Sequence, residues 1–203
     1  MKTNYQDLKL KLCEAYFSVL NNTNKNSINL KELCFKINVS FDKVKTLVPE
    51  KSVNSLFFLK ILINKLDNEV LEEFGTDISD DTISSTYDKI LEGLTLRFEK
   101  MLKYKNALQI VSNTPESKVV NFFTLFQENY SFMFHLLDLV ENKQNCILQT
   151  VKSLALNTLF TKGMEVFLKD ENKNLDTTIR YLDKYLKDIE DVGVFAGIIK
   201  RWL

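Results

Sequence analysis

Glycine and proline are scarce in this sequence, with five and two copies in 203 residues. A β-sandwich or barrel needs a turn about every 8–12 residues, and this composition cannot supply those turns. Neither GxGxxG nor GxxxxGK[ST] occurs, so no phosphate-cradling glycine loop is available. Cysteine is equally sparse. Cys13, Cys34 and Cys146 are odd in number, far apart and without a CxxC pair, which argues against a zinc ribbon or a disulfide scaffold and for reduced thiols. A single histidine, His135, and no G-x-S-x-G leave no nucleophile–base pair to propose, so no enzyme activity, metal or cofactor is expected. Asp80-Asp81 reads as a helix start, where acidic groups favour the N-terminal dipole. No apolar run reaches about 18 residues, so no integral membrane segment is expected. The opening MKTNYQDLKLKL has no signal-peptide core, which points to a cytoplasmic protein.

What remains is a chain with 45% hydrophobic residues, enough for a packed core. Its apolar residues recur at helical spacing nearly throughout. The pattern predicts helices over about 5–20, 29–37 and 41–48, then a long helix over 51–74. Ser40 is the expected N-cap of the third helix, and Pro49 its stop. The polar stretch GTDISDD (75–81) reads as a boundary. Longer helices follow over about 81–103, 104–112, 118–140, 145–169 and 175–202, the last with Gly193 as a candidate interruption. The expected fold is therefore all-α with about nine helices. A three-helix helix-turn-helix domain (1–50) is joined through the 51–74 helix to a C-terminal bundle (51–203) for ligand binding and dimerisation.

Residues 28–51, INLKELCFKINVSFDKVKTLVPEK, carry the helix-turn-helix pattern. Leu30, Leu33, Cys34, Ile37, Val39, Val44 and Leu47 can lock two short helices together, leaving Asp42, Lys43, Lys45 and Thr46 outward. This segment resembles the DNA-binding domain of TetR/AcrR-type regulators. Cys34 stands at that family's small position, Asn38-Val39-Ser40 at its turn, and Lys51 at the lysine opening its fourth helix, with no gap. Three departures go with the match. Asp42 replaces the glycine two residues after Ser40, Lys45 replaces the tyrosine, and Leu47-Val48 replaces the His-Phe pair. DKILEGLTLRFEKMLKYKNAL (88–108) and TIRYLDKYLKDIEDVG (178–193) look like ligand-domain segments of a TetR-like subgroup. They are also similar to the lipid-binding proteins of ubiquinone biosynthesis that share the fold, a family that has likewise lost the DNA-contact residues.

The formal net charge of zero hides an asymmetry. Residues 1–60 hold ten Lys against five acidic residues, a surplus of +5 that the remainder balances with −5. A basic helix-turn-helix on an acidic body suits DNA, because phosphate contacts supply most non-specific affinity. The same surplus also follows from a composition in which Lys outnumbers Arg 24 to 3. The DNA-binding candidates are Ser40, Lys43, Lys45, Thr46 and Lys51. Lys43 and Lys45 would face the major groove and Lys51 would hold a phosphate.

In NFFTLFQENYSFMFHLL (121–137), apolar side chains cover too wide an arc to be buried on one side only. They read either as core or as the wall of a cavity for a small hydrophobic effector or lipid. The cavity would be lined by Phe98, Met101, Phe122, Phe126, Tyr130, Met133 and Phe134. His135 reads as a half-exposed helix residue or as a ligand sensor. The last two helices show apolar residues on more than one face. The resemblance implies a homodimer through them, with Leu148, Val151, Leu159, Ile179, Leu182 and Leu186 as interface candidates. The tail VFAGIIKRWL (194–203) would pack on the bundle or its partner, or dip into a membrane interface. Two functions follow from the resemblances. One is a DNA-binding regulator of operator DNA controlled by a hydrophobic effector. The other is a lipid or isoprenoid carrier that does not bind DNA. A module that only dimerises is a third reading.

Overall fold

Several helix starts coincide with side chains that can stand in for a missing backbone partner. The computed structural model describes residues 5–23, 28–46, 48, 55–79, 81–113, 118–141, 146–172 and 174–202, and of residues 23, 118–124 and 190–202 the backbone alone. The described residues form nine helices and no strand: α1 (Tyr5–Thr23), α2 (Leu30–Lys36), α3 (Phe41–Lys45), α4 (Ser55–Ser79), α5 (Thr86–Leu102), α6 (Lys105–Ser112), α7 (Lys118–Val140), α8 (Cys146–Lys169) and α9 (Asp176–Trp202). Asn29 caps α2, its side chain accepting from the Glu32 N–H at 2.8 Å. Ser85 and Asp88 cap α5 reciprocally, the S-x-x-[DE] form of a capping box.

Element order follows the expectation, and the bounds differ where local polar groups intervene. The 75–79 stretch does not break α4, which runs on to Ser79. Thr76 and Ser79 hydroxyls donate to the Glu72 and Thr76 carbonyls at 2.9 and 2.8 Å and so remain compatible with helix. α5 begins later than expected because the Asp81 carboxylate accepts from the amides of Ile83 and Ser84 at 2.9 and 3.0 Å, closing a turn instead. α3 has five residues rather than eight, although Val48 N–H still reaches the Val44 carbonyl at 2.9 Å. Ser40 occupies the N-cap of α3 without a side-chain cap bond. α9 continues through Gly193.

The helices group into two compact units, Met1–Lys65 with Tyr104–Leu125, and Leu66–Lys103 with Phe126–Leu203. In the first, α1 packs on α2 and α6. Leu12, Phe17 and Leu20 of α1 are buried with Leu33 and Cys34 of α2, Val44 of α3 and Phe58 of α4. Tyr16 stacks on Phe58 at 4.5 Å between ring centroids, and Phe17 meets Tyr104 edge-on at 5.8 Å. Asn21 of α1 accepts from the Ala107 N–H at 2.9 Å and so satisfies an orphan donor in the first turn of α6. In the second unit α8 packs lengthwise on α9, and α5 also packs on α9. Tyr87 Oη ties α5 to α9 by donating to the Asp183 carboxylate at 2.6 Å. Gly93 lets α5 approach α7, since a Cβ there would lie 2.6 Å from a methyl of Leu136.

Candidate functional site

The helix-turn-helix begins with a chain reversal that most side chains resist. Asn38 takes φ +52°, in the left-handed region that Gly and Asn tolerate best, and Val39 N–H bonds to the Cys34 carbonyl at 3.0 Å. The turn aims α3 so that Val44 and Val48 are fully buried while Ser40, Asp42, Lys43, Lys45 and Thr46 are exposed. Neither Lys43 nor Lys45 takes part in an ion pair with another described residue. The Thr46 hydroxyl donates to the Lys43 carbonyl at 3.0 Å, finishing the helix with its own side chain. Lys51 and Leu47 lie outside the described residues. Two neighbours that the sequence reading did not single out share this surface. Phe35 of α2 is 90% exposed, and Lys31 places its Nζ 5.5 Å from the centroid of the Phe41 ring. An apolar residue at an outward helical position was legible in the pattern. The cation–π pairing across the turn was not.

The expected cavity residues take several places in the second unit. Phe98, Met101 and Met133 are fully buried, and Phe126, Tyr130 and Phe134 are half-buried along one edge of α7. The side chain of Phe122 lies outside the described residues. Phe98 stacks on Phe160 at 4.6 Å and tilts against Phe167 at 5.2 Å. Gly163 sits beneath that stack, 3.3 Å from the Phe98 ring at its Cβ position. Phe98 is thus held in close packing on all the sides these contacts define. His135 is exposed, and its Nδ1–H donates to the Ser131 carbonyl at 2.7 Å.

The dimer candidates divide. Leu159, Leu182 and Leu186 are buried inside the unit, while Leu148 and Ile179 are half-buried. Val151 is 47% exposed and shares an outward stripe of α8 with Ile147 (75%) and Leu154 (42%). The i, i+4, i+7 spacing of these three makes a continuous apolar face on the first half of α8.

The most unusual chemistry in this unit is a buried charge. Arg97 of α5 is 0% exposed. It donates to Asp67 of α4 through Nε and Nη2 at 2.7 and 2.8 Å, a bidentate pair. Its guanidinium carbon lies 4.2 Å from the Phe132 ring and 4.3 Å from the Phe160 ring. Burial pushes the Asp67 carboxyl upward in pKa, and the Arg97 bonds work against that rise. The helix expected over about 81–103 includes Arg97, but no periodicity shows that an arginine points inward.

At the other end of α8 an open groove of about 680 Å³ is lined by Glu165, Lys169, Asp170, Glu171, Asn172 and neighbouring residues. Its one buried carboxylate is already engaged. Asp170 accepts from the Thr178 N–H and hydroxyl, both at 2.9 Å, and from the Asn172 N–H at 3.1 Å. Burial would raise its pKa, yet these bonds together hold it below the ordinary carboxylate value. Among the described residues no group of His, Cys, Asp and Glu is placed to hold a metal, and no helix is long and apolar enough to cross a membrane. Compared with known proteins, the chain matches no protein-family model and no curated protein sequence.

Proposed function

We propose that this protein is a TetR-like DNA-binding transcriptional regulator controlled by a small hydrophobic effector and acting as a homodimer in the cytoplasm. The observation that carries the reading is the outer face of α3. Asp42, Lys43, Lys45 and Thr46 point outward while Val44 and Val48 anchor the helix, in a chain whose first 60 residues carry a +5 surplus. Lys43 and Lys45 meet the major groove and Lys51 a phosphate. The apolar stripe Ile147, Val151 and Leu154 supports a second copy docking on α8. Effector bound among the bundle helices then alters α4 and with it the spacing of the two recognition helices. DNA binding by wild-type protein and by the Lys43→Ala, Lys45→Ala and Lys51→Ala variants tests this across a salt series. Removing one lysine–phosphate interaction is expected to flatten the slope of log K against log salt by about 0.9. Unchanged affinity and slope in all three variants would sink the assignment.

One observation favours a second reading. Lys45 and Leu47 stand where the resembled family has its tyrosine and histidine, and Val48, in place of the phenylalanine, is fully buried. A lipid or isoprenoid carrier on the same fold needs neither group. Native mass spectrometry of purified protein separates the two. Co-purifying lipid with no DNA binding supports the carrier, whereas lipid-free protein that shifts its own promoter DNA supports the regulator.

A further inference from the structure

Two side-chain amides set the register of α7 against α8. Asn157 Nδ2 donates to the Phe126 carbonyl at 2.9 Å, and Gln149 Nε2 to the Phe134 carbonyl at 3.4 Å. Moving eight residues back along α8 therefore moves eight forward along α7, so the helices run antiparallel. In this register Asn157 lies level with Phe126, and Ser153 lies level with Tyr130, beside Asn129. Phe160 is on one side of this layer and Phe132 on the other. Helical side chains lean toward their own N-terminus, so in an antiparallel pair these two rings lean toward each other. That is why both can reach the guanidinium of Arg97, at 4.2 and 4.3 Å. Arg97, Asn129, Ser153 and Asn157 thus occupy one layer between two aromatic rings.

Every member of this layer keeps a polar atom unused. Arg97 Nη1, Asn129 Oδ1, Ser153 Oγ and Asn157 Oδ1 are buried and make no hydrogen bond among the described residues. The residues carrying them are at most 6% exposed. Buried polar atoms are nearly always paired, and one left unpaired costs its full desolvation. Four unpaired atoms brought to one level by this register are therefore not explained by the stability of the bundle.

We propose that this layer is a binding site for a small neutral polar molecule, or for the neutral polar head of a larger apolar one. The complementary group presents a carbonyl or hydroxyl oxygen to Arg97 Nη1, and N–H or O–H donors to the Asn129 and Asn157 carbonyls. Ser153 can serve either side. Asp67 already balances the charge of Arg97 and has Glu128 in its field, so an anion is disfavoured and a cation gains nothing. A primary amide or a polyol fits the pattern. The inference adds a polar anchor to the effector of the proposed regulator, and rests on that reading only for what binding does.

Acetamide is the probe, followed by nitrogen-15 NMR of the full chain. Saturable shifts of the Asn129 and Asn157 side-chain amides are expected, with a dissociation constant in the millimolar range, on the order expected for so small a fragment. N,N-dimethylacetamide, which lacks the donors, should bind at least about 10-fold more weakly. Asn157→Leu should weaken acetamide by about 10-fold or more. Ser153→Ala, a smaller change that keeps the fold if the leucine variant does not, should weaken it by about 3-fold. Absence of saturation up to about 100 mM, or equal binding by both amides and by Ser153→Ala, would overturn the site. So would a crystal structure in which ordered waters satisfy all four atoms and persist in acetamide. Operator binding is scored separately. Acetamide binding without DNA binding retains this site and removes the regulator; the reverse removes the site alone.

Discussion

In the N-terminal unit the described buried side chains are apolar or aromatic, and the charged ones face outward. Leu12, Phe17, Leu20 and Phe58 fill that core, and even the Cys13 thiol finds the Phe58 carbonyl at 3.3 Å. In the C-terminal unit Asp67, Arg97, Asn129, Gln149, Ser153, Asn157, Asp170 and Thr178 are all buried. The N-terminal unit keeps its polar chemistry on the surface, where it is available to a polyanion, and keeps the interior for packing. The C-terminal unit carries polar groups into an interior where each must be matched. An unmatched buried group is costly for stability but available to a ligand.

The largest expected effect breaks that contrast at its centre. Arg97→Ala leaves the Asp67 carboxylate buried without its partner and should cost about 3–5 kcal/mol in urea unfolding. The double change Asp67→Leu with Arg97→Met should recover most of that loss. A cost under about 1 kcal/mol for the single variant would mean that the pair is not buried as described. In the N-terminal unit Leu12→Ala should cost about 2–5 kcal/mol through reduced apolar burial and a cavity, without dependence on pH.

A smaller loss is expected where α5 meets α7. Gly93→Ala places a methyl 2.6 Å from Leu136, and the displaced leucine is fully buried. The expected loss is about 1–3 kcal/mol, partly offset by the better helix propensity of alanine. A more stable variant would show that the leucine yields freely.

Asp170→Asn sharpens the contrast by pH, with about 1–2 kcal/mol at neutral pH. The folded-state pKa of Asp170 lies below its unfolded value. Its contribution is therefore complete above the ordinary carboxylate value of about 3.9 and is lost as pH falls through the lowered folded value. Wild type and variant should converge in stability at acid pH, and a constant gap down to about pH 2 would refute the attribution.

Much of the fold was legible in advance. The 3.6-residue spacing of Leu8, Leu12, Tyr16 and Val19 marks α1, and the Asn38-Val39-Ser40 turn followed by Val44 marks the helix-turn-helix. The outward placement of Lys43 and Lys45 follows from the same spacing. Helix ends were less legible. Thr76 and Ser79 look like breakers in a string of letters, yet they bond back into the helix they were expected to end.

What the sequence by itself determined is the all-helical character and the charge asymmetry, because periodicity and composition are local or additive quantities. Tertiary structure alone decided that α6 belongs with α1, through Asn21 and the ring of Tyr104. It also decided that Leu182 and Leu186 lie inside while Val151 does not, and that Arg97, Asn129, Ser153 and Asn157 share one buried layer. These residues lie on three helices up to 60 positions apart. Their meeting depends on the antiparallel register of α7 and α8, a long-range pairing that no window of sequence contains.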